Sequence, residues 1–389
     1  MTKLHELNEL GQSIWLDYIR RSFLDAGELQ RWIDMGLRGV TSNPSIFEKA
    51  IAGSQDYQED LRQLAQEGRS ADQIFAELAA SDIRQAADLL RPVYEESRGT
   101  DGFVSLEVNP ALAYDTQASL DEARRLWSAV DRPNLMVKIP ATEQGIPAIA
   151  QAISEGININ ITLIFSRSRY GEVISAYLQG LEQRLSLGLP VRQIASVASF
   201  FVSRVDTKVD KQLESILQQE GPGADLAARL LGKAGVANAR LAYRQFKEVF
   251  EGERFARLKA DGAQVQRPLW ASTSTKNPAY ADIKYVQELI GPQTVNTLPQ
   301  ETLEAFLDHG EVRLTIDEDL DGLQRAVQSL EDLGISLEQV TQELEQEGVA
   351  AFAKSYEALM ETIQNKREGL QAGQGRSSSP HAPGGAAPS

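Results

Sequence analysis

NLMVKIPATEQGIPAIAQAISEGININITLIFS, residues 134–166, reads as strand, helix, strand. The run Leu135-Met136-Val137-Lys138-Ile139 is short and apolar and lies between Pro133 and Pro140, the pattern of a buried strand. Ile146–Glu155 is an amphipathic stretch of helical length, and Asn158–Phe165 returns to strand periodicity. Such a succession implies parallel strands joined by a crossover helix. The same alternation runs outward in both directions. Strand candidates are Gln12–Asp17, Gly36–Asn43, Gly102–Val108, Asn134–Ile139, Asn158–Phe165, Ile194–Val202, Arg267–Thr273 and Thr294–Leu298. Between them lie amphipathic stretches at Ser54–Gln66, Ser70–Tyr94, Thr116–Val130, Ser168–Ser186 and Pro278–Ile290, with Ser119, Ser168 and Pro278 as candidate helix openers. Eight βα units in 389 residues predict an α/β fold, a (β/α)8 TIM barrel somewhat longer than the ~250 residues usual for it.

Extra length falls in three places. Residues 205–265 form a long helical insertion interrupted by Gly-Pro-Gly at 221–223, and 301–365 read as additional helices. Residues 1–365 are thus expected to form one catalytic barrel domain. Residues 366–389 are Gly, Ser, Pro and Ala rich, above all from Gly369 onward, and are expected to be a disordered tail.

Composition narrows the function. A net charge of −16 argues against nucleic acid or an anionic membrane as partner. The chain has no cysteine, so disulfides, thiolate nucleophiles and cysteine-ligated zinc are excluded. Its histidines, His5, His309 and His381, are scattered, so neither a histidine triad nor a histidine metal site is expected. No segment resembles a signal peptide, and no apolar run approaches the ~18 residues needed to span a bilayer. A soluble cytoplasmic protein is the expectation.

Lys138 is the anomaly in its strand. Desolvating an ammonium costs several kcal/mol, so a lysine inside an apolar strand needs a partner or a purpose. Burial disfavours the charged form and favours a nucleophilic amine, whose main use is Schiff-base chemistry on a carbonyl. The alternatives are a lysine snorkelling at a strand end or held in a structural ion pair. Strand alternation sharpens the choice. Ile157, Ile159, Ile161 and Leu163 take one face, and Asn158, Asn160 and Thr162 the other. Val104, Leu106 and Val108 oppose Ser105, Glu107 and Asn109, while Asp17 shares a face with Ser13 and Trp15, and Ser272 with Trp270. If the apolar faces meet the surrounding helices, the barrel interior holds Asp17, Asn43, Glu107, Lys138, Asn160, Thr162, Ser199 and Ser272. Most lie near C-terminal strand ends, where barrel enzymes carry their catalytic groups.

These segments resemble the transaldolase family over about residues 12 to 300. TSNPSIF at 41–47, SLEVNP at 105–110, MVKIPAT at 136–142 and GININITLIFS at 156–166 are similar to the family's motifs in the family's order, as are ASFFVSRVD at 198–206 and LWAST at 269–273. The resemblance implies transfer of a dihydroxyacetone unit between sugar phosphates in the pentose phosphate pathway, with no cofactor or metal. It implies fructose 6-phosphate or sedoheptulose 7-phosphate as donor, and erythrose 4-phosphate or glyceraldehyde 3-phosphate as acceptor. Lys138 would form the Schiff base and Asp17 would deprotonate the C4 hydroxyl. Glu107, with a water held by Thr162, would shuttle protons for imine formation. Asn43, Asn160, Ser199 and Ser272 would contact substrate or orient the lysine, Arg204 would take the phosphate, and Phe201 would set specificity. Better-known relatives carry an arginine two residues after the serine matched by Ser272; Ser274 stands there instead. Lys276 either replaces that arginine or is a solvated loop lysine. The expected assembly is a monomer or homodimer. A same-superfamily aldolase and a non-catalytic sugar-phosphate-binding barrel are the competing readings.

Overall fold

The computed structural model describes residues 1–377. Among the described residues there are eight strands: β1 Gln12–Leu16, β2 Gly39–Val40, β3 Phe103–Glu107, β4 Leu135–Pro140, β5 Ile159–Ile164, β6 Ser196–Phe201, β7 Arg267–Ala271 and β8 Thr294–Leu298. Seven lie inside a segment expected from the sequence; β4 runs one residue beyond its segment, to Pro140. They pair in chain order, every pair parallel, and β1 closes the barrel on β8 with Gln12 opposite Thr294 and Leu16 opposite Leu298. β2 is the shortest. Its Gly39 lies opposite Trp15, and a Cβ at that position would stand 2.6 Å from the indole, so the large ring fixes glycine there.

The strands separate two apolar regions. Ile14, Leu16, Val104, Leu106, Val137, Ile159 and Ile161 belong to the cluster shared with the surrounding helices. Trp15, Phe103, Met136, Val197, Leu269 and Val295, from alternate positions on the same strands, form another cluster. Below the lysine the barrel is therefore filled by large side chains.

Two expectations from strict alternation fail. Leu163 leaves the isoleucine face and joins the second cluster. The register of β5 on β6 slips between Ile161 and Ile164, and Leu163 has φ +59°, so a bulge has shifted its parity by one. Ser272 does not share the side of Trp270. Trp270 packs edge-on against Phe200 among the outer residues, whereas Ser272 lines the cavity at the barrel mouth. β7 has ended at Ala271, and Ser272, at φ +54°, turns the chain inward.

The helices also differ from expectation at their ends. Ser119 lies inside the helix Thr116–Val130, whose cap is Asp115, accepting from the Ala118 N–H. Ser166, not Ser168, caps Arg167–Ser186 through the Arg169 N–H. Of Pro278–Ile290 only Lys284–Gln287 is α-helical, and Ser54–Gln66 becomes helical at Gln58. The insertion resolves into Ser203–Gln218, Ala224–Leu230, Ala234–Phe250 and Glu253–Ala260. After β8 come Gln300–His309, Leu320–Asp332 and a long final helix, Leu337–Ser377. That helix runs past Gly369, the start of the low-complexity composition, because Leu359 and Ile363 are buried in the outer core and Lys366 donates to the Ile51 carbonyl at 2.7 Å. The rest of the expected tail, residues 378–389, lies outside the described residues. Among the described residues no helix is long and apolar enough to cross a membrane.

Candidate active site

β4 carries Lys138 into the barrel one register step beside Glu107 of β3. The lysine side chain is 6% exposed and that of Glu107 2%, with Nζ 3.0 Å from Glu107 Oε2. Nζ also donates to the Ser42 carbonyl at 2.9 Å. Ser42 in turn donates to the Ser105 carbonyl at 2.7 Å, which ties the segment after β2 to β3. The lysine is neither snorkelling nor exposed. Burial pushes the Glu107 carboxyl above the ordinary carboxylate range, against the opposing pull of Lys138.

Asp17 follows β1 and faces the same space. Thr41 Oγ1 donates to its Oδ1 at 2.7 Å and lies 2.6 Å from Thr297 Oγ1 on β8. Asp17 keeps some access to the cavity, yet the surrounding protein raises its pKa, a desolvation effect that outweighs Lys138 and the threonine hydrogen bond. The site therefore holds two carboxyl groups with raised proton affinity around one lysine.

Asn160 is completely buried one step from Lys138 on β5, donating to Ser105 Oγ at 3.0 Å and accepting from Ser199 Oγ at 2.6 Å. It belongs to a side-chain relay across β3, β5 and β6 beneath the cavity. Thr162 lines the cavity, and its buried Oγ1 has no hydrogen-bond partner in the protein. Asn43 caps the helix Pro44–Ala52, its Oδ1 accepting from the Ile46 N–H at 3.0 Å, while the residue lines the cavity wall. The local sequence explains this: Asn at the cap and Pro at the first helical position start a helix at that point.

The cavity is about 840 Å³ and opens at the C-terminal ends of the strands. Asp17, Asn43, Lys138, Thr162, Ser199, Phe201, Arg204, Ser272 and Lys276 all line it. Glu107 and Asn160 stand behind that surface, Glu107 against the lysine and Asn160 in the relay. Phe201 packs 5.0 Å from Phe165, and the Arg204 guanidinium lies 5.3 Å above the Phe201 ring. Burial lowers the Arg204 pKa, with Glu347 opposing that effect. Ser272 and Ser203 hydroxyls lie 3.0 Å apart. Lys276 is exposed at the rim and donates to Ser274 Oγ at 2.6 Å. Its amine and the Ser274 hydroxyl thus form one polar group.

Several lining residues escaped the sequence reading. Thr41, Thr297, Arg20, Lys49 and Phe352 all face the cavity. Thr41 was within reach, since it opens the TSNPSIF segment. Arg20 is bound to Asp56 at 2.7 Å. Phe352 comes from the final helix, far away in sequence, with its ring centroid 5.9 Å from Lys138 Nζ. No local motif marks it. Among the described residues no group of three or more His, Cys, Asp or Glu side chains is arranged to hold a metal ion.

A family model described as Transaldolase/Fructose-6-phosphate aldolase matches residues 14–363. The transaldolase of Saccharopolyspora erythraea is 50% identical over 370 residues, covering 94% of this chain and 98% of its own. The transaldolase of Mycolicibacterium smegmatis is 49% identical, with 93% and 97% covered, and Transaldolase 2 of a Nostoc species is 45% identical over the same shares.

Proposed function

Since the chain belongs to the transaldolase/fructose-6-phosphate aldolase family, we propose that it is a transaldolase of the non-oxidative pentose phosphate pathway. It moves a dihydroxyacetone unit from fructose 6-phosphate or sedoheptulose 7-phosphate to erythrose 4-phosphate or glyceraldehyde 3-phosphate. The observation that carries this reading is one deeply buried lysine, Lys138, within 3.0 Å of a carboxylate and opening onto a cavity that Asp17, Asn43, Thr162, Ser199 and Arg204 also line. A binding module has no use for that arrangement.

The chemistry follows from the groups present. Lys138 Nζ attacks the C2 ketone. The carbinolamine loses water to give an iminium, with Glu107 moving protons and a water on Thr162 relaying them. Asp17 removes the C4 hydroxyl proton, the C3–C4 bond breaks, and its electrons flow into the iminium to leave an enamine on Lys138. The aldehyde departs and the acceptor aldehyde retraces these steps. A base with a raised pKa sits closer to neutral working pH, which suits both carboxyl groups. Asn43, Ser199 and the Asn160 relay orient lysine and hydroxyls. Arg204, Ser272 and Lys276 take the phosphate, where a guanidinium can bind two oxygens at once. All of this belongs to one catalytic domain, about residues 1–365, acting in the cytoplasm as a monomer or homodimer; sedimentation and cell fractionation test those last two points.

The deciding experiment is a coupled assay with fructose 6-phosphate, with and without erythrose 4-phosphate, followed by borohydride reduction. Acceptor-dependent turnover and a dihydroxyacetone-sized adduct on Lys138 are expected. Turnover that ignores the acceptor indicates the aldolase, and absence of any adduct indicates a non-catalytic barrel.

A further inference from the structure

We propose that Phe352 is a specificity-determining residue: the ring that keeps water from the enamine on Lys138, and so decides between transfer and release. This rests on the Schiff-base reading above and extends it to a helix outside the barrel. Three observations carry it.

The first is position. Phe352 lines the same cavity as Lys138, is 7% exposed, and holds its ring centroid 5.9 Å from Nζ. The barrel wall supplies another phenyl group, Phe201, but that ring is already engaged by Phe165 at 5.0 Å and by Arg204 at 5.3 Å. The helix of Phe352 packs on Pro44–Ala52 and Ser203–Gln218, which follow β2 and β6, so its ring comes from the C-terminal mouth of the barrel.

The second is close approach. Gly348 lies one helical turn before Phe352 and so on the same face of the helix. A Cβ on Gly348 would stand 2.9 Å from Leu163 Cδ2. Leu163 is the bulged residue of β5, at φ +59°, a conformation unfavourable for a bulky residue that persists only where surroundings hold it. Glycine on one side and a bulge on the other let the helix settle against the strand that bears Thr162.

The third is fastening. Lys208 pairs with Glu343 at 2.8 Å and Glu347 at 2.6 Å, and Arg169 with Glu345 at 3.2 Å. Beyond the phenylalanine, Ser45 donates to Ser355 at 2.7 Å. These ties flank Phe352 on both sides and reach three different barrel segments, so the ring is held over the lysine as a fixed cover.

Release without an acceptor needs water at the enamine. Its carbon takes a proton from water as the enamine electrons form the new C–H bond, giving an iminium and hydroxide. Hydroxide adds to the iminium carbon; the hydroxyl of the resulting carbinolamine then gives its proton to nitrogen as the C–N bond breaks and the C=O bond forms, so dihydroxyacetone leaves with the lysine amine restored. One water is consumed. A ring that excludes it suppresses this branch while leaving attack on the acceptor aldehyde open.

The test uses full-length wild type and Phe352→Ala with fructose 6-phosphate. The quantity read is the rate of glyceraldehyde 3-phosphate release without acceptor, divided by the transfer rate with erythrose 4-phosphate. The alanine variant should raise that ratio roughly tenfold, and in heavy water should place deuterium in the released dihydroxyacetone. A purely structural role would lower both rates together, and an unchanged ratio overturns the inference. Phe352→Val, a milder truncation, gives the same readout with a smaller expected rise should the alanine variant fail to fold. A wild type that forms no adduct with borohydride overturns the underlying reading, whereas adduct formation with an unchanged ratio overturns only the role of Phe352.

Discussion

Lys138 Nζ stands 3.0 Å from Glu107 Oε2 on the neighbouring strand, and both side chains are almost wholly removed from solvent. The two are register partners of β4 and β3, so backbone pairing, not loop conformation, sets their separation. A buried pair of this kind is poor evidence for stability, because desolvation offsets most of the attraction. Proton traffic at one amine is the role we propose for it. Asp17 lies on the other side, bound to Thr41, and adds to the raised proton affinity of Glu107.

The two carboxyl groups should be separable by mutation. Asp17→Asn is expected to form the imine normally yet cleave C3–C4 slowly, while Glu107→Gln slows imine formation itself. A loss of about 10²–10⁴ in rate is expected for each. Rapid-quench borohydride trapping measures the first step and aldehyde release the second. Full kcat in either variant removes that residue from the mechanism. The base must be ionised to act, so the wild-type cleavage rate should fall as pH drops through the raised Asp17 pKa, above the usual carboxylate range.

Arg204 and Lys276 should differ in weight. Arg204 is partly buried against Phe201, whereas Lys276 is exposed and hydrogen-bonded only to Ser274 within its own loop. Arg204→Ala is expected to lower kcat/KM for fructose 6-phosphate about 10²-fold, as losing a charged hydrogen-bonding partner costs ~1.5–3 kcal/mol. Lys276→Ala should raise KM a few-fold, roughly 0–1 kcal/mol, with kcat unchanged. Steady-state kinetics with fructose and with fructose 6-phosphate distinguish the two cases. If Lys276→Ala raises KM for unphosphorylated fructose equally, the lysine is not a phosphate contact.

A buried carboxylate outside the site should show in the stability profile. Asp206 accepts from the Gly235 N–H at 2.6 Å and from the Tyr285 hydroxyl at 2.8 Å, and burial raises its pKa from 3.8 to about 6 against the pull of Lys284. The folded state then holds the proton more tightly than the unfolded chain. Its contribution is fully present below the unfolded value near 3.8 and is lost as pH rises to about 6. Between those limits the stability of wild type relative to Asp206→Asn should fall by roughly 2–3 kcal/mol. Urea unfolding at several pH values measures it, and a pH-independent difference contradicts the assignment.

Most of the barrel was legible because two independent patterns agree. Apolar alternation marked the strands, and the polar residues interrupting it marked the mouth. Where reading failed, the cause was local backbone geometry. The bulge at Leu163 and the turn at Ser272 each change side-chain parity, and one-letter periodicity does not encode a positive φ. Phe352 failed for another reason. Its helix carries a regular stripe, Leu337, Val340, Leu344, Gly348, Phe352, Ser355, Leu359 and Ile363, at spacings of three and four. That stripe announces a packed helix, but which surface receives it is a tertiary fact. The helix openers failed because Ser and Asp recur within a few residues of each boundary, so that Asp115 and Ser166, not Ser119 and Ser168, provide the caps.

Transfer rather than free cleavage depends on what faces the enamine. Phe201 lies at the end of β6 and lines the cavity, with its ring against Phe165 and beneath Arg204. The resemblance places a tyrosine at the matching position of aldolase relatives. A phenyl ring has no proton to give, whereas a phenol in the same place could protonate the enamine and commit it to release. Phe201→Tyr fits the same volume apart from one hydroxyl, added to a ring that lines the same cavity as Lys138 and Thr162. Wild type should release almost no glyceraldehyde 3-phosphate from fructose 6-phosphate without an acceptor, and the tyrosine variant should release it readily, with acceptor-dependent transfer reduced. Rapid acceptor-independent turnover by the wild type would make this chain an aldolase. A silent tyrosine variant that still forms the trapped adduct would instead mean that water exclusion at the mouth, not proton supply from the wall, holds the enamine in waiting.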